Sequence, residues 1–233
     1  KAWKEMGLVR TKKISVDTTV QAKDIAYPTD ADLLHRVRQK IVRQVQRVRQ
    51  EVTLRKPFRS FVRVSKRMYF RIKKIYRKDP ERRKEAVQGL SRIVTRVVRQ
   101  AQRVANSLYC RGRKDLGRPL KRLVSLGKRV VRQTGELLAG QKPSRRLHSL
   151  HEQRVAVIRK GKSHPECEFG CVVALAKNED GLILAHRAYQ HNVADVKTLG
   201  PMLNGVRENT GEIPSEVAGD RGFSQSLQNE ERF

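Results

Sequence analysis

The chain has 233 residues, of which 38% are hydrophobic and 32% charged, and a formal net charge of +29 at pH 7. An excess of positive charge on this scale strains a compact state and favours a polyanionic partner. Cys usage (3 residues) is too sparse for a disulfide framework, no N-terminal stretch reads as a signal peptide, and no run approaches the roughly 18 apolar residues of a membrane-spanning helix. These features fit a reducing, cytoplasmic setting.

The charge is unevenly spread. Residues 31–162 hold 40 Lys and Arg against 8 Asp and Glu, residues 163–233 hold 6 against 11, and residues 1–30 hold 6 against 4. The middle segment therefore asks for phosphate, with nucleic acid as the first choice. A membrane surface would serve the electrostatics equally well, and a solvated helical surface is the plain alternative. The start at Lys1 suggests a piece cut from a longer protein.

Residues 1–12 are short and basic, with Trp3 and Leu8 as apolar anchors. From Lys13 to Val20, Ile14 and Val16 alternate with Ser15 and Asp17, the pattern of a strand with one face on a core. Asp17 is expected at the open end of that strand. A loop follows through Tyr27-Pro28, and Thr29 or Asp30 is the expected N-cap of a helix.

Four amphipathic helices are expected over the next 110 residues. Leu34, Val37, Ile41, Val45, Val48 and Val52 mark the first. Pro57 is expected to open the second, with Phe58, Phe61, Ser65, Met68, Ile72 and Ile75 along its stripe. Asp79-Pro80-Glu81 reads as a cap followed by proline at the first helical position of the third. Pro119 is expected to start the fourth, which Gly140 ends. The stripes favour packing of the helices on one another over a long parallel coiled coil, because Pro and Gly interrupt them.

Residues 141–166 read as a linker. Phe169–Ala176 and Leu182–Tyr189 flank Asn178-Glu179-Asp180-Gly181, a hairpin with an Asp-Gly turn signal. Asp195–Glu208 is a short helix with Leu199, Leu203 and Val206 inward, and Glu216–Phe223 a further short strand with Asp220 near its end. The boundaries expected are 1–30, 31–140, 141–166 and 167–233.

Asp17 and Asp220 both close short β segments. Two carboxylates brought together can hold divalent metals roughly 3.5–4 Å apart for phosphoryl transfer, and Mg²⁺ suits such oxygen ligands. By spacing alone, an Asp at a strand end is more often a cap or turn residue. Arg159, Lys160 and Lys162 around Gly161 are candidate phosphate contacts, with an exposed basic loop as the equal alternative. His148 and His151 are candidates to donate to DNA or to help position the core, with a structural or solvent-facing role as the favoured alternative. His164, Cys167 and Cys171 lack an evident fourth partner for zinc. No GxxxxGK[ST] loop, HExxH pair or serine elbow is present.

Several separate blocks resemble DDE transposases of bacterial insertion sequences. They are Val16-Asp17-Thr18-Thr19-Val20 with Ile25–Leu34 after it, Ser149-Leu150-His151-Glu152, Arg159-Lys160-Gly161-Lys162 with Glu168-Phe169-Gly170, and Ala218-Gly219-Asp220-Arg221-Gly222-Phe223. They run in the family's order over residues 13–34 and 149–223. The resemblance implies an α/β fold: an incomplete RNase H-like mixed sheet, interrupted after its first strand by a basic all-helical insert. It implies catalytic and metal-holding roles for Asp17 and Asp220, with Mg²⁺ or Mn²⁺ at a two-metal site only in the complete protein. It also implies DNA contacts by Arg159, Lys160, Lys162 and Arg221, with transposon ends and target DNA as partners and a second copy of the chain as a further candidate.

The family's third acid, a Glu on a later helix, has no counterpart here, since Glu230 and Glu231 stand too close to Asp220. The expected activity, cleavage and transfer of DNA strands, thus belongs to a parent protein longer at both ends, bacterial and nucleoid-associated. Val193 stands where the family tends to have Pro, and Cys171-Val172 where a basic pair is common. Two other readings are a non-enzymatic, basic helical nucleic-acid binder and a remnant that folds poorly.

Overall fold

The computed structural model of the chain describes Gly7 and residues 10–54, 56–75, 79–144, 146–158 and 167–223. Among these are five α-helices and five strands of one mixed, open sheet, so the chain is α/β. It divides into two compact units: Lys1–Asp24 with Arg154–Phe233, and Ile25–Gln153. Each has its own apolar core.

The first unit is a sheet with one helix. Strand β1 (Lys13–Ala22) lies beside β3 (Glu168–Asn178) in an antiparallel ladder from Ile14↔Asn178 to Ala22↔Gly170. Strand β4 (Ile183–Tyr189) pairs with the other edge of β3, as does the short β2 (Ala156–Ile158) near its start. Strand β5 (Glu216–Ala218) runs parallel to β1 on its free side. Period-two alternation sends Ile14, Val16, Ala174 and Ala176 to one face, where they are buried. The helix α5 (Val196–Thr210) covers them with Leu199, Met202 and Val206.

Local chemistry sets this unit's edges. At the β3–β4 turn Gly181 takes φ 80, and Asn178 accepts from the Leu182 amide at 2.8 Å through Oδ1. At the far end of the β1–β3 ladder, a Cβ on Gly170 would stand 2.2 Å from the Gln21 carbonyl oxygen, so only glycine permits that approach. The helix α5 ends at Gly211, φ 81.

The second unit is a bundle of α1 (Asp30–Glu51), α2 (Val62–Ile75), α3 (Pro80–Cys110) and α4 (Lys114–Leu138). Leu34, Val37, Ile41 and Val45 of α1, Leu90, Val94 and Val97 of α3, and Leu120, Val124 and Val130 of α4 are almost fully buried. Each such side chain contributes about 1.5–3 kcal/mol relative to exposure. Thr29 caps α1, its hydroxyl oxygen accepting from the Asp32 amide at 3.2 Å. Asp79 caps α3, accepting from the Arg82 amide at 3.0 Å, with Pro80 first in the helix.

The structure differs from the sequence reading at five places. Asp17 stands in the middle of β1, since pairing with β3 carries the strand on to Ala22. The second helix starts at Val62 rather than Pro57. Phe61 takes φ 50, Phe58 is buried in the helical core, and Gln100 holds the Arg59 amide at 2.8 Å, so tertiary contacts keep this stretch non-helical. The fourth helix starts at Lys114, five residues ahead of Pro119, which lies inside it. The segment 141–166 does more than link. Leu147 and Leu150 enter the helical core, Gln133 exchanges hydrogen bonds of 2.9 and 3.2 Å with the Leu147 backbone, and Ala156–Ile158 forms β2. The last strand stops at Ala218, and a 3₁₀ turn, Arg221–Phe223, replaces its continuation.

Candidate metal and nucleic-acid site

Asp17 is exposed, on the β1 face shared with Ser15 and Thr19 and opposite to α5. The parallel register with β5 pairs Lys13 with Glu216, Ile14 with Val217 and Ser15 with Ala218. Counted two residues onward, the same register would bring Asp17 level with Asp220. The ladder itself ends at Ser15↔Ala218. Beyond it the chain turns, with the Gly222 amide donating to Asp220 Oδ1 at 2.8 Å and the Phe223 amide to the Asp220 carbonyl at 3.1 Å. Phe223, 3% exposed, anchors this turn in the sheet unit's core.

Asp195 lies at the start of α5, on the sheet face opposite to Asp17. Asp195 occupies the N-cap position yet makes no side-chain cap. Its Oδ1 instead accepts the Thr18 hydroxyl at 2.6 Å, tying the start of α5 to the residue next to Asp17. A Cβ on Gly222 would stand 2.7 Å from Asp195 Oδ2 and 2.9 Å from Asp220 Oδ1, so Gly222 is wedged between the two carboxylates. Sequence reasoning placed Asp195 only at a helix start. The missed signal was a polar, hydroxyl-bearing Thr18 on the same strand face as the buried Ile14 and Val16.

The donor set is hard oxygen, which suits Mg²⁺ or Mn²⁺. The described residues contain no group of three or more His, Cys, Asp and Glu side chains arranged to hold a metal ion. Arg221 is exposed in the 3₁₀ turn beside Asp220. Arg159, Lys160, Lys162 and His164 lie outside the described residues. Cys167 and Cys171 are half-buried free thiols.

The helical unit carries the positive charge, and several of its acids are engaged in structure. Asp32 accepts from the Tyr69 hydroxyl at 2.6 Å, from Lys73 Nζ at 3.1 Å and from the Thr29 hydroxyl. Burial alone would raise the Asp32 carboxyl, but these donors outweigh it and hold it below the usual carboxylate range. The His35 ring stacks on Tyr69 at 4.2 Å, and burial, then the nearby Arg38, depresses its protonation. Asp30, next along, is raised by burial against the pull of Arg146, 3.4 Å away. No helix among the described residues is long and apolar enough to cross a membrane.

Comparison of the chain with protein-family models, with curated proteins and with solved structures returned no match.

Proposed function

We propose that the chain is part of a metal-dependent DNA strand-transfer enzyme of the DDE transposase kind, with Asp17 and Asp220 as its first two acids. The observation that carries this reading is the parallel β1–β5 register, which ends two residues short of Asp17 and Asp220. The strand order supports it as well. A sheet running β4–β3–β1–β5, antiparallel up to β1 and parallel at β5, with α5 between β4 and β5, is the order expected of an RNase H-like core through its fourth strand. Bound Mg²⁺ would supply charge neutralisation at a scissile phosphate and activation of the attacking oxygen.

The chain's own residues have narrower tasks. Asp17 offers its carboxylate on the sheet face opposite α5, and Asp220 offers its own from the turn after β5. Thr18 fixes Asp195, and Asp195 with Gly222 shapes the turn that presents Asp220. The basic helical unit would hold DNA by its phosphates.

Manganese binding tests the reading. Mn²⁺ titrated into the chain and followed by electron paramagnetic resonance should show weak, partial-site binding that Asp17→Asn and Asp220→Asn each reduce. Measurable binding that both variants retain in full would refute the assignment. A purely DNA-binding helical protein is the second reading, favoured by the 40 Lys and Arg against 8 Asp and Glu in residues 31–162. It expects steeply salt-dependent DNA binding that Asp17→Asn leaves intact.

A further inference from the structure

A groove of about 190 Å³ opens in the helical unit between the first half of α1, the loop before it and the 148–151 turn. Arg36, Lys40 and Arg43 line one wall. At about 100° per residue they fall within about 60° of one another around α1, so they form a single stripe. All three are exposed, and among the described residues none makes an ion pair or side-chain hydrogen bond. Arg47 extends the stripe beyond the groove.

The opposite wall carries Ser149 and His151. Ser149 Oγ accepts the backbone N–H groups of His151 and Glu152, both at 3.3 Å, and lies 2.9 Å from His151 Nδ1. Tyr27 stands at the lip, 68% exposed. The one acid in the lining, Asp32, is neutralised by Lys73 at 3.1 Å.

We infer that this groove seats the sugar–phosphate backbone of a DNA strand, with Arg36, Lys40 and Arg43 on successive phosphates and Tyr27 against a base. From Arg36 to Arg43 the helix rises about 10.5 Å, in two intervals of about 6 and 4.5 Å, which the long Arg and Lys side chains can bridge to consecutive phosphates. An exposed aromatic ring beside a cationic track is the arrangement that stacks unpaired bases. The inference rests on the proposed function only in taking DNA as the polyanion.

The test measures anisotropy of labelled single-stranded and duplex 20-mers over a KCl series, in EDTA and in an Asp17→Asn background. Its outcome is then independent of any metal site. Arg36→Gln/Lys40→Gln/Arg43→Gln should lower the slope of log K against log[KCl] by about 2–3, at 0.7–0.9 per lost phosphate contact. The control Arg92→Gln/Arg96→Gln/Arg99→Gln removes the same charge at the same spacing from the exposed side of α3, and should lower the slope by less than 1. Lys40→Gln alone, the mildest change, should lower it by about 1. Tyr27→Ala should weaken single-strand binding about tenfold with the slope unchanged. Equal effects of the two triple variants, or wild-type binding by the groove variant, would overturn the inference. So would displacement of DNA by millimolar inorganic phosphate at constant ionic strength, which would mark a seat for the free ion.

Discussion

Two glycines of α4 should respond to the same substitution with opposite signs. A Cβ on Gly127 would meet Val98 Cγ2 at 2.7 Å and Ile41 Cδ1 at 3.3 Å, where α1, α3 and α4 converge. A Cβ on Gly135 meets nothing within 4 Å. In either place alanine gains up to about 1 kcal/mol of helix propensity over glycine. At Gly127 that gain is opposed by overpacking of about 1–3 kcal/mol. Ordinary carbon contacts lie at about 3.5–4.0 Å, so α1 or α3 must give way by nearly 1 Å. Val98 is 3% exposed and β-branched, with little freedom at χ1 to absorb the intrusion.

Gly127→Ala should therefore destabilise by about 1 kcal/mol, and Gly135→Ala should stabilise by about 0.5 kcal/mol. Urea unfolding followed by circular dichroism at 222 nm reads mostly the helical unit. With m about 2 kcal/mol/M, the two midpoints should separate by about 0.7 M with m unchanged. If Gly127→Ala proved as stable as Gly135→Ala, the tight convergence of the three helices would be wrong. The outcome bears on the groove too, because Val37 and Ile41, which face Gly127, alternate along α1 with Arg36 and Lys40.

Two further outcomes concern individual bonds. Thr18→Val removes the 2.6 Å hydrogen bond to Asp195 and should lower the sheet unit's stability by about 1.5–3 kcal/mol, while Thr18→Ser retains it. Hydrogen exchange of β1 amides separates the two, and equal protection in both variants would show that the bond carries no stability. Asp32 is held below its ordinary carboxyl value of 3.8, so its network contributes stability above that pH and loses it as pH falls through the lowered value. The stability gap between wild type and Asp32→Asn should be widest at neutral pH and narrow on acidification, whereas a gap constant from pH 7 to pH 3 would refute the assignment.

Much of the helical unit was legible in the sequence because its signals are local. The i, i+3, i+4 stripes marked Leu34, Val37, Ile41 and Val45 as a buried face, and the Asp79-Pro80 pair marked the start of α3. Segment 57–61 was less legible, because what keeps it out of a helix is a contact between Arg59 and Gln100, distant in sequence. β2 was hidden for a related reason: three residues with no alternation form a strand only where β3 offers an edge.

The candidate site divides along the same line. Sequence by itself determined which acids stand near β segments, since alternation around Asp17 and the Gly-rich stretch around Asp220 are local patterns. It also determined that the positive charge gathers between residues 31 and 162. Only the tertiary structure decided the rest. Parallel pairing of β1 with β5 relates positions far apart in the chain, and no local propensity encodes that register. The Thr18–Asp195 bond and the wedge at Gly222 exist because α5 packs across the sheet. The stripe of Arg36, Lys40 and Arg43 is written into the helical repeat, but it becomes one wall of a groove only because the 148–151 turn folds back beside α1.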